Sequence, residues 1–202
     1  MRKMFLIAVL ALALPAAVFA SSNIDYTNSG GTLSGSNSGL MLNGSSLIAV
    51  NGLNGGGIIT GSNLGSVSFQ TGALTSGSLQ MGGTFAAGGW FTITGNGTNG
   101  VPSGTLFSGT FSGPVTWTLV TLANGTHNYT LTGALSGTTG SGYSTVGVTV
   151  QLTINTGKGF FNGSSTISSG DTNVVAPEPG SLTLLGTGLI GLAGAIRRKL
   201  NA

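Results

Sequence analysis

His127 is the only histidine in this sequence, and Asp25, Asp171 and Glu178 are its only carboxylates. Carboxylate or imidazole acid–base chemistry and metal binding would have to be built from these four side chains. A Ser-His-Asp arrangement could use His127 as base with Asp25 or Asp171 as orienter, but no G-x-S-x-G elbow occurs to present a serine. A carboxylate pair of the kind that cleaves glycosidic bonds would require Asp25 and Asp171 to meet. Cysteine is absent, which removes disulfides, thiol nucleophiles, cysteine-based metal sites and lipoprotein acylation. Calcium-binding repeats fail for lack of carboxylates. Gly95 to Gly100 reads G-x-G-x-x-G, yet Val101-Pro102 follows where a dinucleotide fold needs a helix. The same pattern recurs at Gly186 to Gly191 inside an apolar run, so composition alone produces it. His127 is expected as a residue of a turn or of a strand surface. The expectation is a protein without catalytic, cofactor-binding or metal-binding residues, and not an enzyme.

The charges lie at the ends. The positive balance behind the net charge of +3 comes from Arg2 and Lys3 near the start and from Arg197, Arg198 and Lys199 near the finish, against Glu178. Between residues 21 and 176 only Lys158, Asp25 and Asp171 are charged. Nucleic acid is excluded as a partner of the body, because no basic footprint exists there to neutralise phosphates.

The elements that would position these residues are strands. Glycine makes up 38 of the 202 residues, and 4% are charged, against ordinary shares of ~7% and ~25%. Glycine at this density opposes a helix by roughly 1 kcal/mol per residue. Alternation of apolar with small polar residues is clear at Val67-Ser-Phe69-Gln-Thr71, at Leu79-Gln-Met81, at Phe91 to Thr94, and above all from Val146 to Ile154. Such alternation marks half-buried antiparallel strands. Their spacing predicts an all-β domain over residues 40–167, an antiparallel sandwich or barrel. Residues 21–39, rich in Gly and Ser, are expected to be loosely paired, with one edge strand at Ile24 to Thr27; residues 168–176 read as a linker.

One hairpin can be specified to the residue. Val115 to Leu119 and Tyr129 to Gly133 flank Ala123-Asn124-Gly125. A two-residue Asn-Gly turn would set Leu119 opposite Thr130, so the two apolar faces would disagree. A three-residue loop sets Leu119 against Tyr129 and Trp117 against Leu131, and the buried face decides register. Gly125 then takes a left-handed conformation with a bulge. The same register stacks Thr116 on Thr132 and Thr118 on Thr130 on the outer surface. This threonine ladder is a candidate face for carbohydrate or ice, and Thr92, Thr94, Thr149 and Thr153 would extend it if their strands are neighbours.

The ends read as addresses. Residues 1–20 carry a basic start, an apolar run to Leu14, Pro15, and small residues Val18 and Ala20 before a cut after Ala20, which makes a signal peptide. At the other end Pro177-Glu178-Pro179 precedes an uncharged run to Ile196 and the basic cluster Arg197-Arg198-Lys199. A helix over 180–196 would just cross a bilayer core, with the basic stop in the cytoplasm.

Residues 177–202 resemble the PEP-CTERM sorting signal of exopolysaccharide-producing Gram-negative bacteria, with motif, span and basic stop in order at the end of the chain. That resemblance implies export across the inner membrane, transient anchoring, and processing near Pro177-Glu178-Pro179 by an exosortase, a membrane cysteine protease or transpeptidase. Release to the cell surface or extracellular matrix would follow. The Gly/Thr-rich body is similar in composition to passengers found with this signal. It suits a structural or adhesive role within polysaccharide, with the threonine face as the alternative, a dedicated carbohydrate- or ice-binding module.

Overall fold

The computed structural model describes residues 23–175. The expected signal peptide with its cut at Ala20, and the tail 177–202 with its helix at 180–196, lie outside them. Among the described residues no helix is long and apolar enough to cross a membrane.

Thirteen strands form one antiparallel sheet. In chain order they are β1 (Asn23–Ser29), β2 (Thr32–Ser36), β3 (Gly39–Asn51), β4 (Ile59–Gln70), β5 (Leu74–Ser78), β6 (Gly82–Phe85), β7 (Gly88–Asn96), β8 (Ser103–Phe111), β9 (Val115–Thr121), β10 (His127–Thr139), β11 (Ser144–Asn155), β12 (Ser164–Thr166) and β13 (Ser169–Val175). Eight of them, in the order β11-β13-β1-β3-β4-β7-β8-β10, close into a barrel through the β10–β11 pairing. Closure removes the free edges that an open sheet would expose. Of the two architectures expected, the barrel is the one formed.

Two strands are long enough to hold two neighbours on one side. The first half of β3 pairs with β2 and its second half with β1. The first half of β10 pairs with β9 and its second half with β8. The branches β2-β12 and β9-β6-β5 leave the barrel at these forks.

Alternation places the apolar residues inside. Phe69, Phe91, Phe107 and Phe111 form one aromatic cluster, with Phe69 stacked on Phe91 at 5.7 Å and edge-on to Phe111. Trp117, Tyr129 and Phe161 form another, the Trp117 and Tyr129 rings stacked at 5.0 Å. Gly133 faces inward where a Cβ would lie 2.9 Å from the Phe111 ring, so a small residue makes room for a large one. Most outward positions carry Thr, Ser, Asn or Gln, with Met41, Trp90 and Val120 as exposed apolar exceptions. This is the inverse of a lipid-facing barrel, which turns its apolar side out.

Three expectations are corrected. Residues 21–39 are not a loose lead-in with one edge strand: β1 lies inside the barrel wall between β13 and β3. Its inward residues include the polar Asn28, which donates to Ser45 Oγ at 2.6 Å, so apolar alternation under-reports it. Residues 169–175 are not a linker but β13, whose inward positions Gly170, Thr172 and Val174 hide the period behind a glycine and a threonine. Leu79 to Met81 is the turn between β5 and β6, not a strand. It is pinned from the core: Trp117 Nε1 donates to the Leu79 carbonyl at 2.9 Å and the Tyr129 hydroxyl to the Gln80 carbonyl at 2.6 Å.

The β9–β10 hairpin forms in the expected register. Leu119 faces Tyr129, Trp117 faces Leu131, Thr118 faces Thr130 and Thr116 faces Thr132. The loop is three residues: the Leu122 N–H donates to the Thr126 carbonyl, the Gly125 N–H to the Leu122 carbonyl, and Gly125 has φ of 80°.

Candidate functional site

The outer face of β1, β13, β11, β10 and β9 gathers the ladder and both body carboxylates. The register fixes its rows. One runs Thr27, Asp171, Gln151, Thr132, Thr116. On one side of it stand Asp25, Asn173, Thr149 and Ala134, and on the other Ser169, Thr153, Thr130 and Thr118. Thr84 of β6 continues the central row beyond Thr116. Strand spacing of ~4.8 Å and a same-face repeat of ~6.7 Å turn these rows into a grid of hydroxyls. The Thr116 and Thr132 hydroxyls hydrogen-bond to each other.

The ladder therefore extends through Thr153, directly opposite Thr130, with Thr149 one row away. It does not include Thr92 and Thr94, because β7 pairs with β4 and β8 on another part of the wall.

An open groove of about 690 Å³ crosses this face, lined by Asp25, Asp171, Asn173, Gln151, Thr132 and Thr116 among others. Asp25 and Asp171 are diagonal neighbours across the β1–β13 pair, with Asp25 opposite Asn173 and Asp171 opposite Thr27. Diagonal positions lie ~7 Å apart. Partial burial, and then the negative charge of Asp171, hold the Asp25 carboxyl above the usual carboxylate range. The two carboxylates thus do come together, in an open groove on the outer wall. Sequence reasoning named the threonines but not Asp25, Asp171, Gln151 and Asn173 as their companions. Nothing in the sequence signals that meeting, since it depends on β1 and β13 being neighbours.

His127 is a buried strand residue, not the turn or surface residue expected; it is 8% exposed at the start of β10. Its Nδ1 lies 3.0 Å from the Thr121 hydroxyl and its ring stacks on Phe160 at 4.4 Å. Those partners hold and shield the ring, and among the described residues no carboxylate hydrogen-bonds to it. Among the described residues no group of three or more His, Asp or Glu side chains could hold a metal ion.

Chemically, the face offers hydroxyl and amide groups that both donate and accept, methyl groups between them, and two negative charges. Such a surface can exchange its water for the alternating hydroxyls and C–H faces of a sugar chain.

Pro177, Glu178, Pro179, Arg197, Arg198 and Lys199 lie outside the described residues. The comparison with known families bears on them directly: the family described as the PEP-CTERM protein-sorting motif matches residues 175–199. The chain carries a PEP-CTERM sorting tail. That motif implies an exported, exosortase-processed surface protein, anchored transiently in the membrane before processing. The match begins at Val175, the last residue of β13, so the sorting motif follows the barrel wall directly. No curated protein and no solved structure matches the chain.

Proposed function

We propose that this protein is a non-enzymatic, adhesive component of the cell surface or extracellular matrix, delivered by its PEP-CTERM tail and held in exopolysaccharide by the outer face of its barrel. The observation that carries the adhesive part is the contiguous hydroxyl grid across β11, β10, β9 and β6 with the groove beside it. Scattered threonines would suit an inert filler. A continuous grid favours a surface that contacts a polyhydroxylated partner, and so lends weight to the dedicated carbohydrate-binding reading within the same role. Exosortase is the processing partner, the membrane a transient one, and no cofactor is needed. The two carboxylates on the face disfavour a polyanionic chain by charge repulsion.

The test is co-sedimentation of the released protein with the cell's own exopolysaccharide, comparing wild type with the double variant T116V/T132V, which keeps shape and removes the paired hydroxyls. The expected result is retention of the wild type and a several-fold loss in the variant. Equal retention would remove the threonine face from the account. Release of reducing ends from the polysaccharide would overturn the non-enzymatic reading.

A further inference from the structure

A second outer face has a different chemistry. Across β12, β2, β3, β4 and β7 the register aligns Ser164, Ser34, Met41, Gln70 and Trp90 in a single row. Trp90 is 39% exposed and Met41 36%, although the same strands bury Leu33, Leu40, Phe69 and Phe91 completely. A groove of about 200 Å³ runs beside the row, lined by Ser34, Ser36, Ser38, Met41 and Gln70, and Trp90 is the register partner of Gln70 on the next strand. The position of Trp90 is set by the backbone: Gly89 has φ of 69°, and a Cβ there would collide with the Gln70 carbonyl.

From Ser34 to Trp90 the row crosses three strand spacings, ~14 Å, the length of a short run of pyranose rings. An indole face offers an apolar plate to the C–H side of such a ring, while Gln70 and the serines can donate to and accept from its hydroxyls. The charge pattern selects the occupant. The five strands β2, β3, β4, β7 and β12 contain no Asp, Glu, Lys or Arg. A charged polymer would lose hydration here with nothing to pair against, so the face suits an uncharged one.

We propose that the Ser34–Met41–Gln70–Trp90 row is a second glycan-binding site, specific for neutral polysaccharide, and that the barrel therefore cross-links chains. This rests on the polysaccharide reading above and goes beyond it. The two faces share no strand, so one copy can hold two chains at once, and two weak contacts on one body reinforce each other in a network.

The experiment uses the protein as the cell releases it, with hydroxyethylcellulose and galactomannan as neutral probes and alginate as the anionic one. Electrophoretic retardation reads binding, solution viscosity reads cross-linking, and acrylamide quenching reads tryptophan access. Wild type should be retarded by a neutral probe and not by alginate, and should raise that probe's viscosity. The probe should also protect tryptophan from quenching, a signal that belongs to Trp90 because Trp117 is 1% exposed. Trp90→Ala should lose the viscosity rise and at least fivefold in retardation, while Trp90→Phe keeps most of both. If Trp90→Ala behaves as wild type while T116V/T132V loses retardation, the second site is overturned and the threonine face stands. If wild type is retarded by no probe, the proposal and the polysaccharide reading fall together and the exported, processed identity is untouched. Stronger retardation by alginate than by the neutral probes would overturn the specificity.

Discussion

Tyr129 does more for this fold than fill space. Its hydroxyl donates to the Gln80 carbonyl and accepts from the Phe161 N–H at 3.1 Å, tying the β5–β6 turn and the segment before β12 to the core. Tyr129→Phe leaves a buried N–H without a partner and should cost about 1–3 kcal/mol in urea unfolding. Thr172 makes the opposite case. Its hydroxyl is buried in the barrel without a hydrogen-bond partner among the described residues, and Thr172→Val should stabilise by about 1 kcal/mol. On the outer face, the raised Asp25 carboxyl has a consequence for pH. Because its ionised form is disfavoured in the fold, its contribution is fully present below the unfolded value of 3.8 and is lost as pH rises through the folded one. Asp25→Asn should raise Tm at pH 7 and flatten the dependence between pH 4 and 7; an unchanged profile would remove the charge repulsion from the account. At this scale the threonines were legible, since their faces follow from local register. The companionship of Asp25 and Asp171 was not, because it is a property of strand order.

At the scale of elements, the β9–β10 hairpin was legible to the residue, because Leu119, Trp117, Tyr129 and Leu131 share one buried face and leave one loop length consistent with it. Gly125→Ala should cost about 1–2 kcal/mol, since φ of 80° suits glycine and strains alanine; no loss of stability would mean that the loop relaxes to another turn. β13, read as a linker, and β1, read as an edge strand, fill the barrel with Tyr26, Asn28, Gly170, Thr172 and Val174. An apolar-alternation argument sees aliphatics, and here glycine, threonine and a hydrogen-bonded Asn28–Ser45 pair stand in their place. Leu79 and Met81 misled in the other direction, because apolar residues in a turn can be held by core donors such as Trp117 Nε1.

For the whole molecule, the sequence pattern specified all-β architecture, and closure decided between its two forms. Closure comes from β13, which joins β1 to β11, and the sorting motif begins where that strand ends. The charges make the same division: five of the six cations lie in the terminal addresses, leaving Asp25, Lys158 and Asp171 as the charged residues of the body. The function proposed above, an exported barrel cut from its anchor and held among sugar chains, unites these observations. The measurement that tests this most directly is the intact mass of the protein eluted from the cell's exopolysaccharide. The account predicts a species that begins at Ser21 and lacks Arg197 to Lys199. A bound species that retains those residues, or polysaccharide without the protein, would contradict it.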